Sequence, residues 1–421
     1  MIFKELKRVV FTLLSIVCHK NTKFLFCVPK KAEVLILDPV DESRIKAALL
    51  GGVNYATLDT RYGHEKLKFR IYLSPKIIYF SLCMLIKGRH PWTSYCYAII
   101  RCISPKVVID NMHLPFMLPL AQEMPNIRFF VISNGFWNDV LDRVVIKSFY
   151  TYSLKAMFQR CPQRVSNFHV FNFGKKDSDL FRQCGLDERS TGIHYHDVGS
   201  LFGDYMRAMM RGSVNVNDYD IVFVSQCDGD AITGSQEIQK KLVENTRLAI
   251  SNLNKYIVEK NKRCLILLRG QPKLERSEIA FYQSLFDESA QVEFHRNDNL
   301  FAVYEGLTRA PVIISLFSTT GFEAMSWGKK VLFCLYGFTK IYKISSDKYE
   351  TDTEMLKWSL ETAEYSTFQK KLDDLFKMKM SDYLSQNAEV VDYIISGRSE
   401  KPAHIYIRDV ILSELGQAPL H

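Results

Sequence analysis

Short apolar runs alternate with longer amphipathic stretches along the whole chain. In the first half the runs predict strands over 33–38, 55–59, 107–110, 128–133, 167–172 and 192–198. Helical spacing lies between them, as at 75–85 and 116–123. Ser74 followed by Pro75 offers the first of these helices an N-cap and a pre-set first turn. A second series opens after Asp220 with a strand at 221–225 and a long helix at 235–260, begun by a Thr233/Gln236 capping box. Strands at 264–268, 292–295, 312–316 and 331–335 follow, separated by helices at 274–286, 300–307 and 321–327. The strands are unbroken apolar runs rather than alternating ones, which is the pattern of parallel strands covered on both faces. Regular βαβ alternation then implies right-handed, doubly wound sheets. A polar stretch at 212–218 separates the two series. The expected organisation is a Rossmann-like domain over 1–211, a second over 212–385, and helices over 386–421 that cross back to the first.

Composition narrows the class. The chain has 421 residues, enough for two or three domains at about 150 residues each. A content of 47% hydrophobic and 24% charged residues excludes extensive disorder. The net charge of +9, from 55 basic and 46 acidic residues, is too dilute to mark a nucleic-acid binder but favours anionic ligands. The ten cysteines are scattered without a C-x-x-C pair. They read as buried free thiols in a reducing, cytoplasmic setting, not as a zinc or disulfide framework. The longest apolar stretches, 9–18 and 77–86, fall short of the roughly 18–20 residues that span a bilayer. Lys4, Lys7, Arg8, Lys20 and Lys23 flank the first of them. That segment reads either as a helix packed on its domain or as a peripheral membrane anchor.

In doubly wound folds ligands bind beyond the carboxyl ends of the strands, so those positions hold the candidate chemistry. The sequence Ser318-Thr319-Thr320-Gly321 ends a buried strand and starts a helix. Hydroxyls, a glycine and free N–H groups at a helix start suit a phosphate or carboxylate, and Glu323 in the first turn is placed to reach a ribose diol. The same residues also form a Thr320/Glu323 capping box, which by itself would only start the helix. Arg269, before a Gly270-Gln271-Pro272 turn and Lys273, can clamp an anion bidentately or pair with a structural acid. Asp228 and Asp230 follow the first strand of the second series. They lack the further ligands of a metal site, and one of them reads as a nucleophile or base, against a plain polar turn. In the first half, His113 is a candidate general base after the strand at 107–110, against the commoner structural histidine. Asn134, Gly135 and Trp137 follow the strand at 128–133, where they can approach a sugar or simply form a turn and pack. Gly199 and Ser200 end the last strand of that half.

These residues resemble those of GT-B glycosyltransferases. The resemblance rests on Gly199-Ser200, on Val224-Ser225-Gln226, and on the block Ser318-Thr319…Glu323-Ala324…Gly328-Lys329. The layout covers nearly the whole chain, and the block looks most like that of bacterial surface-polysaccharide transferases, in particular retaining β-Kdo transferases that use CMP-sugars. The resemblance implies a metal-independent transferase with no cofactor beyond its nucleotide-sugar substrate. Ser318, Thr319, Thr320, Gly321, Arg269, Gln226 and Lys273 would hold the donor, Glu323 its ribose, and Asp228 or Asp230 would be the covalent nucleophile. Asn134, Gly135, Trp137 and Ser200 would face the acceptor, a lipid-linked glycan such as O-antigen or capsule at the inner membrane face. The Gly270-Gln271-Pro272 turn stands where relatives using CMP-sialic acid or Kdo carry a His-Pro pair. A nucleotide-sugar 2-epimerase or a CDP-glycerol glycerophosphotransferase of the same fold is the alternative, although the Gly-Gly and paired-glutamate pattern of the epimerases is missing from the sequence.

Overall fold

The computed structural model describes residues 23–37, 41–58, 70–111, 114–133, 135, 164–183, 185–210, 217–226, 236–269, 275–337, 355–395 and 401–418. In the first half the strands are β1 (Lys23–Leu25), β2 (Val34–Ile36), β3 (Tyr55–Thr57), β4 (Arg70–Tyr72), β5 (Val107–Asn111), β6 (Arg128–Ile132), β7 (Phe168–Asn172) and β8 (His194–Asp197). The second half has β9 (Ile221–Val224), β10 (Arg263–Leu267), β11 (Gln291–His295), β12 (Val312–Ser315), β13 (Lys330–Cys334) and β14 (Ser359–Leu360). They form two six-stranded parallel sheets, ordered β3-β2-β5-β6-β7-β8 and β11-β10-β9-β12-β13-β14, while β1 and β4 make a small separate ladder.

The unbroken apolar runs are explained by what each face meets. Val34, Ile36, Val107, Ile109, Phe130 and Ile132 point into one core, and the intervening Leu35, Val108, Phe129 and Val131 into another. In the second sheet Val222 and Val224 join the first of these cores, while Ile221 and Phe223 face a third. A strand buried on both faces favours apolar residues at successive positions, hence the lack of alternation in β2, β6, β9 and β12, whereas the edge strands β8 and β11 carry His194, His196 and Glu293. The shared core is continuous between the sheets, and residues of the helices Leu201–Met209, Met380–Ile394 and Ala403–Leu415 help fill it.

The last helices return to the first sheet. Lys106 Nζ donates to the Leu415 carbonyl at 3.0 Å, Arg128 Nε to Glu414 at 2.8 Å, and the Ala403 N–H to Asp204 at 2.8 Å. Helix starts follow their capping chemistry. Ser74 accepts the Ile77 N–H at 3.3 Å and opens the helix Pro75–Ile86. The helix expected at 321–327 instead begins at Thr319, because Ser318 caps it by accepting the Thr320 N–H. The Thr320/Glu323 box is therefore not how this helix starts. Cys96, Cys102, Cys264 and Cys334 are buried free thiols, whereas Cys27 is exposed. No helix among the described residues is long and apolar enough to cross a membrane.

Gly174, just after β7, is where the helix Met380–Ile394 docks. A Cβ there would lie 2.1 Å from the Ile394 carbonyl oxygen, so the two backbones touch. Gly174→Ala is expected to force them apart and to cost about 1–3 kcal/mol, as overpacking does. A lowered urea midpoint with an unchanged m-value is the readout.

Candidate active site

Each sheet has a switch point at which strand order reverses, between β2 and β5 in the first and between β9 and β12 in the second. Beyond the carboxyl ends of these strands the sheet opens into a crevice. In the second sheet, Gln226 Oε1 accepts the Phe317 N–H at 2.8 Å and ties the end of β9 to the turn after β12. Ser225 Oγ donates to Glu278 at 2.5 Å and accepts the Arg269 N–H at 3.0 Å, which fixes the end of β10.

Arg269 then extends its guanidinium to Ser318, donating from Nη1 to Oγ. Ser318 lies at the focus of this wall. Its N–H is bound by Ser315 Oγ at 3.2 Å, and its hydroxyl also accepts the Thr320 N–H at 3.2 Å. A cation and the positive end of the helix Thr319–Ser326 thus converge at one strand end. The Arg269 side chain is exposed, although protein mass crowds the guanidinium at longer range and lowers its pKa through burial. The intrinsic basicity of a guanidinium keeps it charged at neutral pH.

The first sheet answers this wall with residues that sequence reasoning missed. Asp41, after β2, accepts Asn111 Nδ2 at 2.5 Å across the switch point and pairs with Arg44 at 3.4 Å. Arg44 Nε reaches the second half, donating to the Leu300 carbonyl at 2.9 Å, and its guanidinium lies over the Phe202 ring. Applying the strand-end rule to β2 would have found Asp41 and Arg44; no motif marks them.

Glu323 joins the halves. It is only 4% exposed, and its Oε1 accepts the Ser200 hydroxyl and, at 3.0 Å, the Tyr304 hydroxyl. Tyr304 stacks on Trp327 at 5.5 Å. Burial raises the Glu323 carboxyl to about 7, against the pull of the Ser200 and Tyr304 hydrogen bonds and of Arg269 and Arg44. Burial, reinforced by Glu323, also holds the Tyr304 hydroxyl well above its ordinary value. Glu323, expected to reach a ribose, thus has one oxygen committed to this joint. Ser200, expected on an open acceptor wall, is buried and occupied: it caps the helix Leu201–Met209 through the Gly203 N–H at 2.9 Å and donates to Glu323. The reason in both cases is that the joint closes over a shared apolar core, where a hydroxyl and a carboxyl must satisfy each other.

Two glycines set close approaches. A Cβ on Gly135 would lie 2.7 Å from Thr319 Cγ2, which brings the end of β6 against the helix start of the other half. A Cβ on Gly321 would strike the Phe333 ring at 2.8 Å, so its place in the block is explained by packing. The Gly328-Lys329 end of the block is also structural. Gly328 has φ +81 just past the helix, and Lys329 Nζ donates to the Thr308 and Ala310 carbonyls at 3.4 and 3.1 Å. Asp228, Asp230, His113, Lys273, Asn134 and Trp137 lie outside the described residues. No cluster of three or more metal-ligand side chains occurs among the described residues. A cavity of about 840 Å³ at the outer edge of the first sheet is lined by Arg182 and Asp197 among others. It lies away from both switch points, and these groups are already engaged, Arg182 with Asp179 and Asp197 with Ser178, both at 2.5 Å.

The raised Glu323 carboxyl makes the joint pH-sensitive. Between its ordinary value of 4.5 and about 7 the folded chain holds a proton that the unfolded chain has released, so this contribution is complete below pH 4.5 and lost as pH rises through 7. Glu323→Gln keeps an acceptor for both hydroxyls without the ionisation. It is expected to match the native protein near pH 4.5 and to exceed it at pH 8 by on the order of 3 kcal/mol, read from urea unfolding at the two pH values.

The sequence matches no family model and no curated protein. Solved structures do match. A wall teichoic acid polymerase, TagF, superposes with a TM-score of 0.55 at 14% identity, over 98% of this chain and 98% of that one. A UDP-N-acetylglucosamine 2-epimerase homologue from Listeria monocytogenes gives 0.53 at 11% identity, over 93% and 100%. MnaA from S. aureus, solved with UDP, gives 0.53 at 11% identity, over 92% and 97%. At such identities the likeness is one of fold, and with the two facing parallel sheets it shows that this chain has a GT-B-type architecture of two Rossmann-like units.

Proposed function

We propose that this chain is an enzyme that takes a nucleotide-activated donor into the crevice and transfers the activated group to a hydroxyl of a growing surface polymer. The observation that carries the reading is the Arg269–Ser318 contact at the start of the helix Thr319–Ser326, at the switch point of the second sheet. When an acceptor oxygen attacks the donor, the bond to the nucleotide phosphate breaks and negative charge gathers on the leaving phosphate. A fixed guanidinium and helix N–H groups stabilise that charge. Arg44 adds a second cation from the opposite half. The acceptor hydroxyl must lose its proton as the new bond forms, and His113, Asp228 and Asp230, all at strand ends in the sequence, are the groups proposed to take it.

The transferred group is read first as glycerophosphoryl from a CDP-glycerol-type donor. TagF is named as a wall teichoic acid polymerase, and one of its structures was soaked with CDPG. Glycosyl transfer from a nucleotide sugar is the second reading, carried by the Ser318…Glu323 block, with Asp228 or Asp230 as covalent nucleophile if configuration is retained. CMP-Kdo as that donor gains no support from the neighbours, which are a polymerase and UDP-sugar epimerases.

A thermal-shift panel over CMP, CDP, UDP and GDP tests the site directly. Cytidine nucleotides are expected to raise the melting temperature, and Arg269→Ala to weaken their binding by roughly 10- to 100-fold, the loss of a charge-assisted hydrogen bond. Indifference to all four nucleotides would sink the reading. With CDP-glycerol and a polyol-phosphate acceptor, CMP release that requires the acceptor supports transfer. Conversion of a UDP-sugar without any acceptor would make the chain an epimerase instead.

A further inference from the structure

Seven of the thirteen large apolar side chains exposed among the described residues fall in two adjoining segments of the first half. Phe24, Phe26 and Val28 lie in and just after β1. Ile78, Tyr79, Leu82 and Ile86 lie on the helix Pro75–Ile86, and Ile86 is 86% exposed. The segments are joined: β1 pairs with β4, the Leu73 N–H bonds the Leu25 carbonyl at 2.8 Å, and the chain passes through Ser74 into the helix.

At 100° per residue, positions 78, 79, 82 and 86 fall within an arc of about 100°. Ile77 and Met84 point the other way and are buried behind the helix, which packs on the helix Pro91–Ile103. This helix therefore has two apolar faces and covers one of them. A soluble face would carry charge on the outer stripe.

Within the two segments themselves the charge is of one sign. No acidic residue occurs between Lys23 and Ala32, or between Arg70 and Ile109. Lys23, Lys30, Lys31, Arg70 and Lys76 are exposed there. Lys87 and Arg89, past the end of the helix, pair with Glu123 at 3.4 and 2.6 Å. A helix of 12 residues is about 18 Å long, short of the roughly 30 Å hydrocarbon core, so it can only lie on a membrane.

We propose that the outer face of the helix Pro75–Ile86, with the segment around Phe26, docks this protein peripherally on an anionic lipid bilayer. The apolar stripe enters the headgroup–acyl boundary, Tyr79 sits at the interface with its hydroxyl toward water, and the lysines meet lipid phosphates. The 9–18 segment, which the sequence reads either as a packed helix or as a peripheral anchor, lies outside the described residues. The lipid contact does not rest on the donor chemistry, though it would bring the crevice to a lipid-linked acceptor.

The test is co-sedimentation of the full chain with phosphatidylcholine vesicles, with and without phosphatidylglycerol, in the absence of donor and acceptor. Failure here therefore leaves the transferase reading untouched. Binding is expected on the anionic vesicles, at least tenfold weaker on pure phosphatidylcholine and weakened by salt. The double substitution L82S/I86S is expected to reduce it at least tenfold with an unchanged melting temperature, and Lys76→Glu to reduce it further. Native protein that ignores anionic vesicles overturns the proposal, as does a double variant that binds like the native chain. A lipid-free dimer dissolved by L82S/I86S would assign the face to a second copy. A lowered melting temperature would assign it to the chain's own residues, and either outcome replaces the lipid.

Discussion

Two parallel sheets must each be covered on both faces, and in this chain they share one of those coverings. The apolar layer running from Ile109 and Phe130 through Phe202 to Val224 and Phe333 is one core built from both halves. Any polar group at that joint is cut off from water and must be satisfied by another. Glu323 is the carboxyl in that position, held by Ser200 from one half and Tyr304 from the other. Its preference for the protonated form follows from burial, and so does its usefulness as a cross-strut: a neutral carboxyl accepts hydrogen bonds without an isolated buried charge.

The strut and the candidate chemistry share one helix: Ser318 caps its start and Glu323 lies in its next turn. Arg269 and Ser318 belong to the second half, and Arg44 and Gly135 to the first. Arg44 reaches Leu300, and Gly135 lies against Thr319. The candidate site thus lies among contacts between the halves. A donor anion held on the Arg269 wall would lie within the field of cations from both sides, in a setting where charge interactions are stronger than in bulk water.

The outer helix of the first half belongs to the same economy of surface. Its inner face completes the core behind the first sheet, and its outer face has no protein partner among the described residues. The same half also supplies Arg44 and Gly135 to the contacts with the second half.

Much of this was legible in the chain. Parallel strands were visible because burial on both faces abolishes alternation, as in Phe129–Phe130–Val131–Ile132. The helix Pro75–Ile86 was announced by Ser74 and Pro75, whose effects act within one turn. Arg269 and Ser318 were singled out because the strand-end rule depends only on order along the chain, and the fold brings their side chains together. What the sequence could not decide was which polar residues would be consumed by the joint. Glu323 and Ser200 looked like ligand-facing groups, and Lys329 like part of a motif, until packing placed the first two against each other and the third on two carbonyls. Arg44 stands after a strand but carries no motif, and its reach to Leu300 exists only when the halves meet; Tyr304 is matched to Glu323 by packing within the second half. Local propensity and periodicity fix elements over a few residues. The fate of a carboxylate or guanidinium is set by which surface 100 or more residues away closes over it, as Ser200 does over Glu323, 123 positions on.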